Sequence, residues 1–366
     1  MSCGSANPIR VLSGCHSLVR RLAVIAACGL SLTACSELLA KPAQNSPAPV
    51  VARQLPIPAQ QRTGPDFLPH DRGWQLVWSD EFDGETLDAT KWKAEVSCWG
   101  GGNNERQCYT ERENNVQVVN GLLRLIAQKE EWTGTNMPPE LSGTGSKLKT
   151  QPYTSGKIRS LGLADWKYGR FSARLKLPKG QGSWPALWMM PADNDFGRWP
   201  LSGEIDIMEA VNLGALCEEC GEDKTENHTQ GALHFGDVSP NNHYLVERTS
   251  PPDGGSPGDG FHIYTIEWGE GRIQWFIDDV LFMRADAKDW YTTAPEAAGN
   301  PNAPFNRPFY IMLNLAVGGN LSVNSNEGGI GPKTFPAEIQ ADWFRIYQCE
   351  TDPKTGRACM DESSMD

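Results

Sequence analysis

The chain has 366 residues, enough for one large domain with appended segments. It contains 37 glycines, 26 prolines and 13 tryptophans, and segments with a helical period are scarce, so the composition favours a turn-rich, all-β fold. The formal net charge of −12 argues against nucleic acid as a partner, because binding to phosphates needs clustered lysines and arginines. The same charge disfavours a strongly anionic substrate, so a neutral polymer fits best.

The first segment of the chain has the pattern of an export signal. Two arginines precede an apolar run over 22–32 that is too short to span a bilayer as a mature helix. The run ends in Leu-Thr-Ala before Cys35, which is similar to a bacterial lipobox, so 1–34 is predicted to be a signal peptide and Cys35 the lipidated residue. By analogy with that class, Ser36 directs the protein to the outer membrane of a Gram-negative bacterium. An ordinary secretory signal with a chance cysteine is the alternative.

The next segment, 35–70, is predicted to be a tether that links the lipid-anchored cysteine to the folded domain. It contains seven prolines among Ala, Gln and Ser and shows no periodic apolar pattern. The folded domain is expected over 71–349, followed by a polar tail over 350–366.

Cysteine usage agrees with export. Beyond Cys35 the chain carries six cysteines, an even number in three near pairs, and local pairing is the simplest connectivity. The predicted disulfides are Cys98–Cys108, Cys217–Cys220 and Cys349–Cys359. A zinc site is the alternative for the second pair, because His228 and His234 follow it, although the gap from cysteine to histidine is shorter than in zinc fingers.

Alternating apolar and polar residues predict strands throughout the domain. Asn120-Gly121 predicts a hairpin within 115–128, and a second hairpin joins 262–268 to 273–280. Residues 130–150 are polar and glycine-rich and are predicted to be a loop. Further strands are predicted over 153–160, 168–178, 309–317 and 339–348.

The stretch 203–209 carries three carboxylates in an apolar run. As a regular strand it places Glu204 and Asp206 on one face but turns Glu209 toward the core, where an unpaired carboxylate costs several kcal/mol. One extra residue at 207–208, a β-bulge, returns Glu209 to the face of the other two acids. Acids this close repel one another, so at least one pKa must be raised.

That arrangement has the electrostatics of a glycosidase, in which one carboxyl is ionised and a second holds a proton. A solvated acidic strand edge is the alternative, but surface acids rarely lie among Ile, Met, Ala and Val. The chain carries further motifs around this stretch: Trp-Ser-Asp-Glu-Phe-Asp-Gly (78–84), Gly-Asn-Asn-Glu (102–105), Tyr-Thr-Ser-Gly (153–156), Tyr-Gly-Arg-Phe (168–171), Gly-Ser-Trp-Pro-Ala-Leu-Trp-Met-Met-Pro (182–191) and Ala-Leu-His-Phe-Gly (232–236).

In this order, over 74–348, the motifs resemble glycoside hydrolase family 16 in its bacterial laminarinase branch. The resemblance implies a jelly-roll β-sandwich of two antiparallel sheets with an open concave cleft. It implies Glu204 as nucleophile, Glu209 as acid/base with a raised proton affinity, and Asp206 as the residue that orients Glu204. The expected reaction is endo-hydrolysis of β-1,3-glucan with retention. Mixed-linkage glucan, agarose or carrageenan as substrate, or a non-catalytic glucan-binding protein, are the alternatives.

The same resemblance, together with the residue types, predicts the substrate-binding side chains. Indoles can stack on the apolar faces of pyranose rings, and polar side chains can bind the hydroxyls. The candidates are Trp184, Trp188, Trp199, Asn104, Arg170, His234 and Asn314. Core tryptophans, a surface arginine and a satisfied core histidine are the competing interpretations.

Family 16 domains often hold a structural calcium, which the resemblance places around Glu81, Gly121 and Asp342, mainly on carbonyl oxygens with the Asp342 carboxylate. Ordinary turn acids are the alternative. No cofactor is expected in the chemistry. The expected partners are β-glucan and the membrane through Cys35, with no nucleic acid, and the protein is expected to be a monomer.

Overall fold

The computed structural model describes residues 72–137, 145–220 and 223–360. The predicted signal peptide, the lipid anchor at Cys35, the linker and the end of the C-terminal tail lie outside the described residues and stay predictions. Within the described ranges, no helix is long and apolar enough to cross a membrane.

Almost all regular structure in these ranges is extended. The strands are β1 (Trp74–Asp80), β2 (Lys93–Ala94), β3 (Gln107–Tyr109), β4 (Val116–Val119), β5 (Leu122–Ala127), β6 (Trp132–Thr135), β7 (Leu148–Gln151), β8 (Tyr153–Ser155), β9 (Lys157–Arg159), β10 (Gly169–Lys176), β11 (Ser183–Pro191), β12 (Glu204–Glu209), β13 (Thr229–Gly236), β14 (Asn242–Thr249), β15 (His262–Gly269), β16 (Arg272–Ile277), β17 (Val280–Asp286), β18 (Phe309–Val317) and β19 (Ala337–Cys349). Short helical segments lie at Asn320–Val323 (α1), Pro295–Ala297 and Arg357–Cys359.

Within the described ranges, the strands form two large antiparallel sheets. The eight-stranded sheet has the order β17-β16-β15-β10-β19-β5-β4, with β1 also paired to β19, and the seven-stranded sheet has the order β14-β13-β12-β11-β18-β9-β2. Side chains of both sheets, among them Phe171, Phe344, Leu187 and Leu233, belong to one buried hydrophobic cluster. The predicted β-sandwich is therefore confirmed.

The turn residues explain where two hairpins begin and end. Asn120 and Gly121 have φ of 55° and 72°, as a two-residue hairpin requires, and they join β4 to β5 as predicted. Asp278 and Asp279 also have positive φ, 48° and 63°, and they form the turn that joins β16 to β17. The predicted strand over 273–280 was therefore too long, since β16 ends at Ile277. The turn was missed because its central residues are two aspartates and no glycine marks it.

The predicted loop over 130–150 is partly wrong. Trp132 pairs with Gln151 and Thr135 with Leu148, so β6 and β7 form a small antiparallel ribbon. The strands are short and largely polar, which is why the apolar pattern does not reveal them.

The three predicted disulfides are confirmed. The Cα atoms lie 4.0 Å apart in Cys98–Cys108, 5.3 Å in Cys217–Cys220 and 5.6 Å in Cys349–Cys359. The bond between Cys217 and Cys220 favours the disulfide over the zinc alternative. The bond between Cys349 and Cys359 ties the start of the tail to the end of β19.

The structure contradicts one predicted cleft residue, Arg170. It lies on β10 in the eight-stranded sheet, whereas the acids of β12 lie in the other sheet. Its guanidinium contacts Glu267 at 2.6 Å and Asp279 at 2.7 Å, and only 1% of its side chain is exposed. The alternation along β10 correctly predicts that Arg170 points away from the core. It does not show which sheet β10 joins, and that sheet does not carry the acids.

We predict that Arg170→Met lowers the free energy of unfolding by roughly 3 kcal/mol, the lower end of the cost of breaking a buried ion pair, because Arg72 still pairs with Glu267. Arg345→Met is the matched control, since the Arg345–Glu81 pair is about one-third exposed and should contribute less than about 1 kcal/mol. Urea unfolding of both variants measures the difference. Equal stabilities would contradict a structural role for Arg170.

Candidate active site

The three acids of β12 share one face because the strand contains the predicted bulge. Asp206 pairs with Ala232 and Glu209 with Gln230, so three steps along β12 match two along β13. The register against β11 shifts at the same place. The two residues between the acids are both buried in the core. The bulge prediction is therefore confirmed, and Glu209 points away from the core, onto what we call the cleft face of the seven-stranded sheet.

Gly203 sets the entry into this strand. Its φ is 85°, which an L side chain rarely adopts, and a Cβ atom there would lie 2.8 Å from the ring of Phe305. The close contact leaves no room for a side chain at position 203. The packing of Gly203 against Phe305 therefore determines where Glu204 lies.

Two indole N–H groups hold the two glutamates. Trp199 Nε1 donates to Glu204 Oε2, and Trp184 Nε1 donates to Glu209 Oε1 at 3.0 Å. Gln230 Nε2 donates to the other oxygen of Glu209 at 3.1 Å. Both carboxylates are thus oriented by neutral donors, which fix their positions without cancelling their charge.

Asp206 lies between the glutamates and is the most buried of the three acids, with 2% of its surface exposed. His234 Nε2 lies 3.3 Å from its Oδ2. From the eight-stranded sheet, Trp275 Nε1 donates to the main-chain carbonyl of Asp206 at 2.8 Å. The middle acid is therefore held from both sides of the sheet.

Burial and mutual repulsion raise the pKa values of two of these acids. Burial raises the pKa of Glu204 and the charge of Glu209 adds to it, whereas the charge of His234 and hydrogen bonds from Trp199 and Asp206 oppose the shift. Burial raises the pKa of Asp206 well above its usual range, and the charges of both glutamates raise it further. The cluster therefore keeps a proton at pH values where isolated carboxyls would be ionised, as the sequence predicts.

His234 supplies the positive charge of this cluster. Burial alone would lower its pKa, but the hydrogen bond and charge of Asp206, followed by the charges of Glu204 and Glu209, raise the pKa from 6.5 to about 9. The imidazole is therefore an imidazolium at neutral pH, and its register opposite Glu204 places the charge at that end of β12.

The neighbouring strands extend the cleft face beside the acids. Asn314 on β18 pairs with Ala186 on one side and Lys157 on the other. Trp188 Nε1 donates to Asn314 Oδ1 at 2.7 Å, and the Lys157 ammonium lies 4.9 Å from the ring centroid of Trp188. Trp188 and Asn314 thus lie on the predicted face, in contact with each other.

The three tryptophans differ in how much ring they offer a ligand. Trp184 is only 9% exposed and packs against Gly319, where a Cβ atom would lie 2.9 Å from its ring. Trp199 is 41% exposed, and its ring centroid lies 6.0 Å from that of His234. Trp199 is therefore the best placed of the three to stack on a sugar, whereas Trp184 mainly positions Glu209.

Asn104 lies on the loop beside this sheet. It is exposed, with φ of 59°, and its Nδ2 donates to Asn320 Oδ1 at 2.9 Å. The main-chain N–H of Asn320 donates to the Asn103 carbonyl at 2.7 Å, which ties the loop to α1. The side-chain amide of Asn104 is accessible to solvent, as a role in binding sugar requires.

The carboxylates of the predicted calcium site are bound by arginines. Glu81 Oε2 lies 2.8 Å from Arg345, and Asp342 Oδ2 lies 2.7 Å from Arg174, while Gly121 lies in the β4–β5 turn. These ion pairs compete with a cation for the same oxygens. The prediction also invokes main-chain carbonyl oxygens, so it stays a prediction, and no catalytic step depends on it.

Two residues that contact the acids were missed from the sequence. Gln230 lies four positions before His234 on β13, so strand alternation alone could have placed it on the cleft face. In the sequence, Trp275 is one more apolar residue of a buried strand. No local sequence pattern predicts its hydrogen bond across the sandwich to β12.

Comparisons with known proteins agree with this geometry. The profile of the family described as "Glycosyl hydrolases family 16" matches residues 126–344. The chain is 37% identical over 314 residues to "Glucan endo-1,3-beta-glucosidase A1" of Niallia circulans, covering 83% of this chain and 42% of that protein. It is 36% identical over 288 residues to "Beta-glucanase" of Rhodothermus marinus, covering 77% and 87%. The crystal structure of the laminarinase from Rhodothermus marinus superposes with a TM-score of 0.57 at 34% identity, covering 75% of this chain and 97% of that one.

We predict that His234 stabilises the fold in a pH-dependent way. Because its pKa is raised from 6.5 to about 9, its contribution is fully present below about 6.5 and is lost as the pH rises through about 9. The difference in unfolding free energy between the wild type and His234→Asn should therefore shrink between these values, as measured by urea unfolding. The control is His243→Asn, which replaces an exposed histidine on β14. A difference that stays constant between these values would contradict the ion pair.

Proposed function

The chain belongs to glycosyl hydrolase family 16, and from this premise we propose that it cleaves laminarin-type β-1,3-glucan chains internally, with retention at the anomeric carbon. The observation that carries the proposal is the bulge in β12, which sets Glu204, Asp206 and Glu209 on one face with hydrogen-bonded carboxylates. The names of similar proteins from Niallia circulans and Rhodothermus marinus support the substrate. This chain spans less than half of the first of these, so the activity of that whole protein is not implied.

In the first step, a Glu204 oxygen attacks the anomeric carbon while the glycosidic C–O bond breaks and Glu209 gives its proton to the leaving oxygen. In the second step, Glu209 takes a proton from water, and the water oxygen displaces Glu204 from the anomeric carbon. The net reaction adds one water across the glycosidic bond. The chemistry of this family needs no cofactor.

The neighbours of Glu204 support its assignment as the nucleophile. The imidazolium of His234 lies opposite it, and the N–H of Trp199 donates to it, so both stabilise its ionised form. Because burial and the charges of both glutamates raise the pKa of Asp206, one proton is shared in its hydrogen bond with Glu204, and the pair keeps one negative charge beside the His234 imidazolium. Asp206 therefore orients the nucleophile and limits the charge beside it.

The charges on the cleft face favour a neutral glucan over a sulfated galactan. Lys157 pairs with Glu95 at 3.1 Å, and Arg248 pairs with Glu226 at 2.7 Å. The cation of His234 is committed to Asp206. These three groups therefore offer little net positive charge to a sulfate, whereas exposed rings such as Trp199 suit the apolar face of a neutral pyranose.

We predict that azide distinguishes the roles of the two glutamates. With an aryl β-glycoside of laminaribiose as substrate, Glu204→Ala should lose roughly three orders of magnitude in kcat/KM or more. Azide should restore turnover with an α-glycosyl azide as product, because it attacks from the vacated face. For Glu209→Ala, azide should yield the β-glycosyl azide, because it intercepts the glycosyl-enzyme that still forms. Product anomers are read by NMR.

The control is Glu296→Gln, which changes an exposed glutamate outside β12 and should keep wild-type rates. A β-glycosyl azide from Glu204→Ala would exchange the two roles. Wild-type rates in both alanine variants would contradict a hydrolase built on β12, whereas a wild type without turnover would favour the glucan-binding alternative.

We also predict the order of substrates. Reducing-end release by the wild type should be fastest on laminarin, slower on the mixed-linkage glucan lichenan, and at background on agarose and carrageenan. The measurement is kcat/KM on each polymer at equal mass concentration. Faster release from lichenan would replace the β-1,3 assignment by a mixed-linkage one, and release from carrageenan would contradict the charge argument.

A further inference from the structure

The edge of the seven-stranded sheet carries an aromatic side chain that the mechanism leaves unused. Strand β14 ends the sheet beside β13, and 63% of Tyr244 on this strand is exposed. Val246, two residues on and therefore on the same face, is 41% exposed. Leu245 between them packs against the core, so the strand orientation is determined and Tyr244 faces the cleft side.

Tyr244 continues a row that begins at the nucleophile. Glu204 pairs with His234, and His234 pairs with Tyr244, so the three side chains lie side by side across three strands. The ring centroid of His234 is 6.0 Å from that of Trp199 and 5.9 Å from that of Tyr244, with tilts of 44° and 35°. Three rings therefore line the face from Glu204 outward.

We propose that Tyr244 forms an outer sugar subsite on the β14 side of the cleft and stacks on a glucosyl unit of the polymer. This inference rests on the function proposed above. With neighbouring strands about 4.8 Å apart, β14 lies about 10 Å from β12, beyond the sugar that the acids attack. A tyrosine presents an apolar ring to the C–H face of a pyranose and a hydroxyl to its polar rim.

The surroundings of Tyr244 favour a sugar over a protein partner. The apolar part of the β14 edge consists of Tyr244 and Val246, flanked by exposed Glu247 and Arg248. Such a patch is far smaller than the roughly 800 Å² per partner of a stable protein interface. It is continuous with the row from Glu204, so a polymer that extends from the acids across the strands reaches it.

The test is the dependence of kcat/KM on substrate length. Laminari-oligosaccharides of increasing length and laminarin are compared for the wild type, Tyr244→Ala and Tyr244→Phe. We expect Tyr244→Ala to lose about five- to tenfold on laminarin, the range of one aromatic stacking contact, and at most about twofold on the shortest oligosaccharide that is cleaved. Tyr244→Phe keeps the ring and should stay within about twofold of the wild type at every length.

Val280→Ala is the matched control, because it removes an apolar side chain that is also at least half exposed, from the eight-stranded sheet. A loss in Tyr244→Ala that is equal at all lengths, or absent on laminarin, overturns the subsite while the activity of the wild type and Val280→Ala upholds the proposed function. A wild type that releases no reducing ends from laminarin overturns the function and the subsite together. Thermal unfolding of each variant checks that the exposed substitution leaves the fold intact.

Discussion

The active face depends on one extra residue in β12. Without the bulge at 207–208, Glu209 would turn into the sandwich core, where nothing ionic could compensate its charge. The register shifts against both β11 and β13, so a slip of β12 would break hydrogen bonds on two sides at once. Gly203 prevents the same slip from the N-terminal end, because its backbone packs directly against Phe305. The bulge is thus held by three neighbours, and the two residues between Asp206 and Glu209 that face the core are apolar.

The structural carboxylates and the carboxylates of the active site differ in the groups that bind them. Glu267 and Asp342, in the eight-stranded sheet, each pair with a buried arginine, whose full positive charge lies against the carboxylate. The two glutamates of β12 receive indole and amide N–H groups, which orient the oxygens but leave their charges coupled. A guanidinium in these positions would hold both acids ionised and would prevent one from carrying a proton. The weaker donors are therefore what allows two neighbouring carboxyls to take opposite roles.

The features that the sequence predicts well are those with a local physical signal. The bulge follows from three acids in an apolar strand, the β4–β5 turn from Asn120-Gly121, and β18 from a run that is apolar apart from Tyr310 and Asn314. The prediction for Arg170 was wrong because alternation along β10 indicates which face of the strand a side chain lies on, but not which sheet the strand joins. The bond from Trp275 to Asp206 joins residues 69 positions apart, and no local pattern reports such a contact. Pairing between sheets is thus the information that only the fold supplies.

The position of the acids also explains how one family can act on different polymers. Strand β12 is flanked by β13 and β11, so the reacting sugar lies over the inner strands of the sheet. On the proposed function, the more distant sugars would meet side chains of β14 at one edge and, as predicted from the sequence, the loop of Asn104 beside α1. Those side chains contribute little to the core, since Tyr244 and Asn104 are both exposed, so they can change without disturbing the bulge or the hydrogen bonds to the glutamates. Chemistry therefore resides in residues that the bulge and its packing fix in place, whereas the proposed choice of substrate resides in exposed residues whose replacement has little effect on stability.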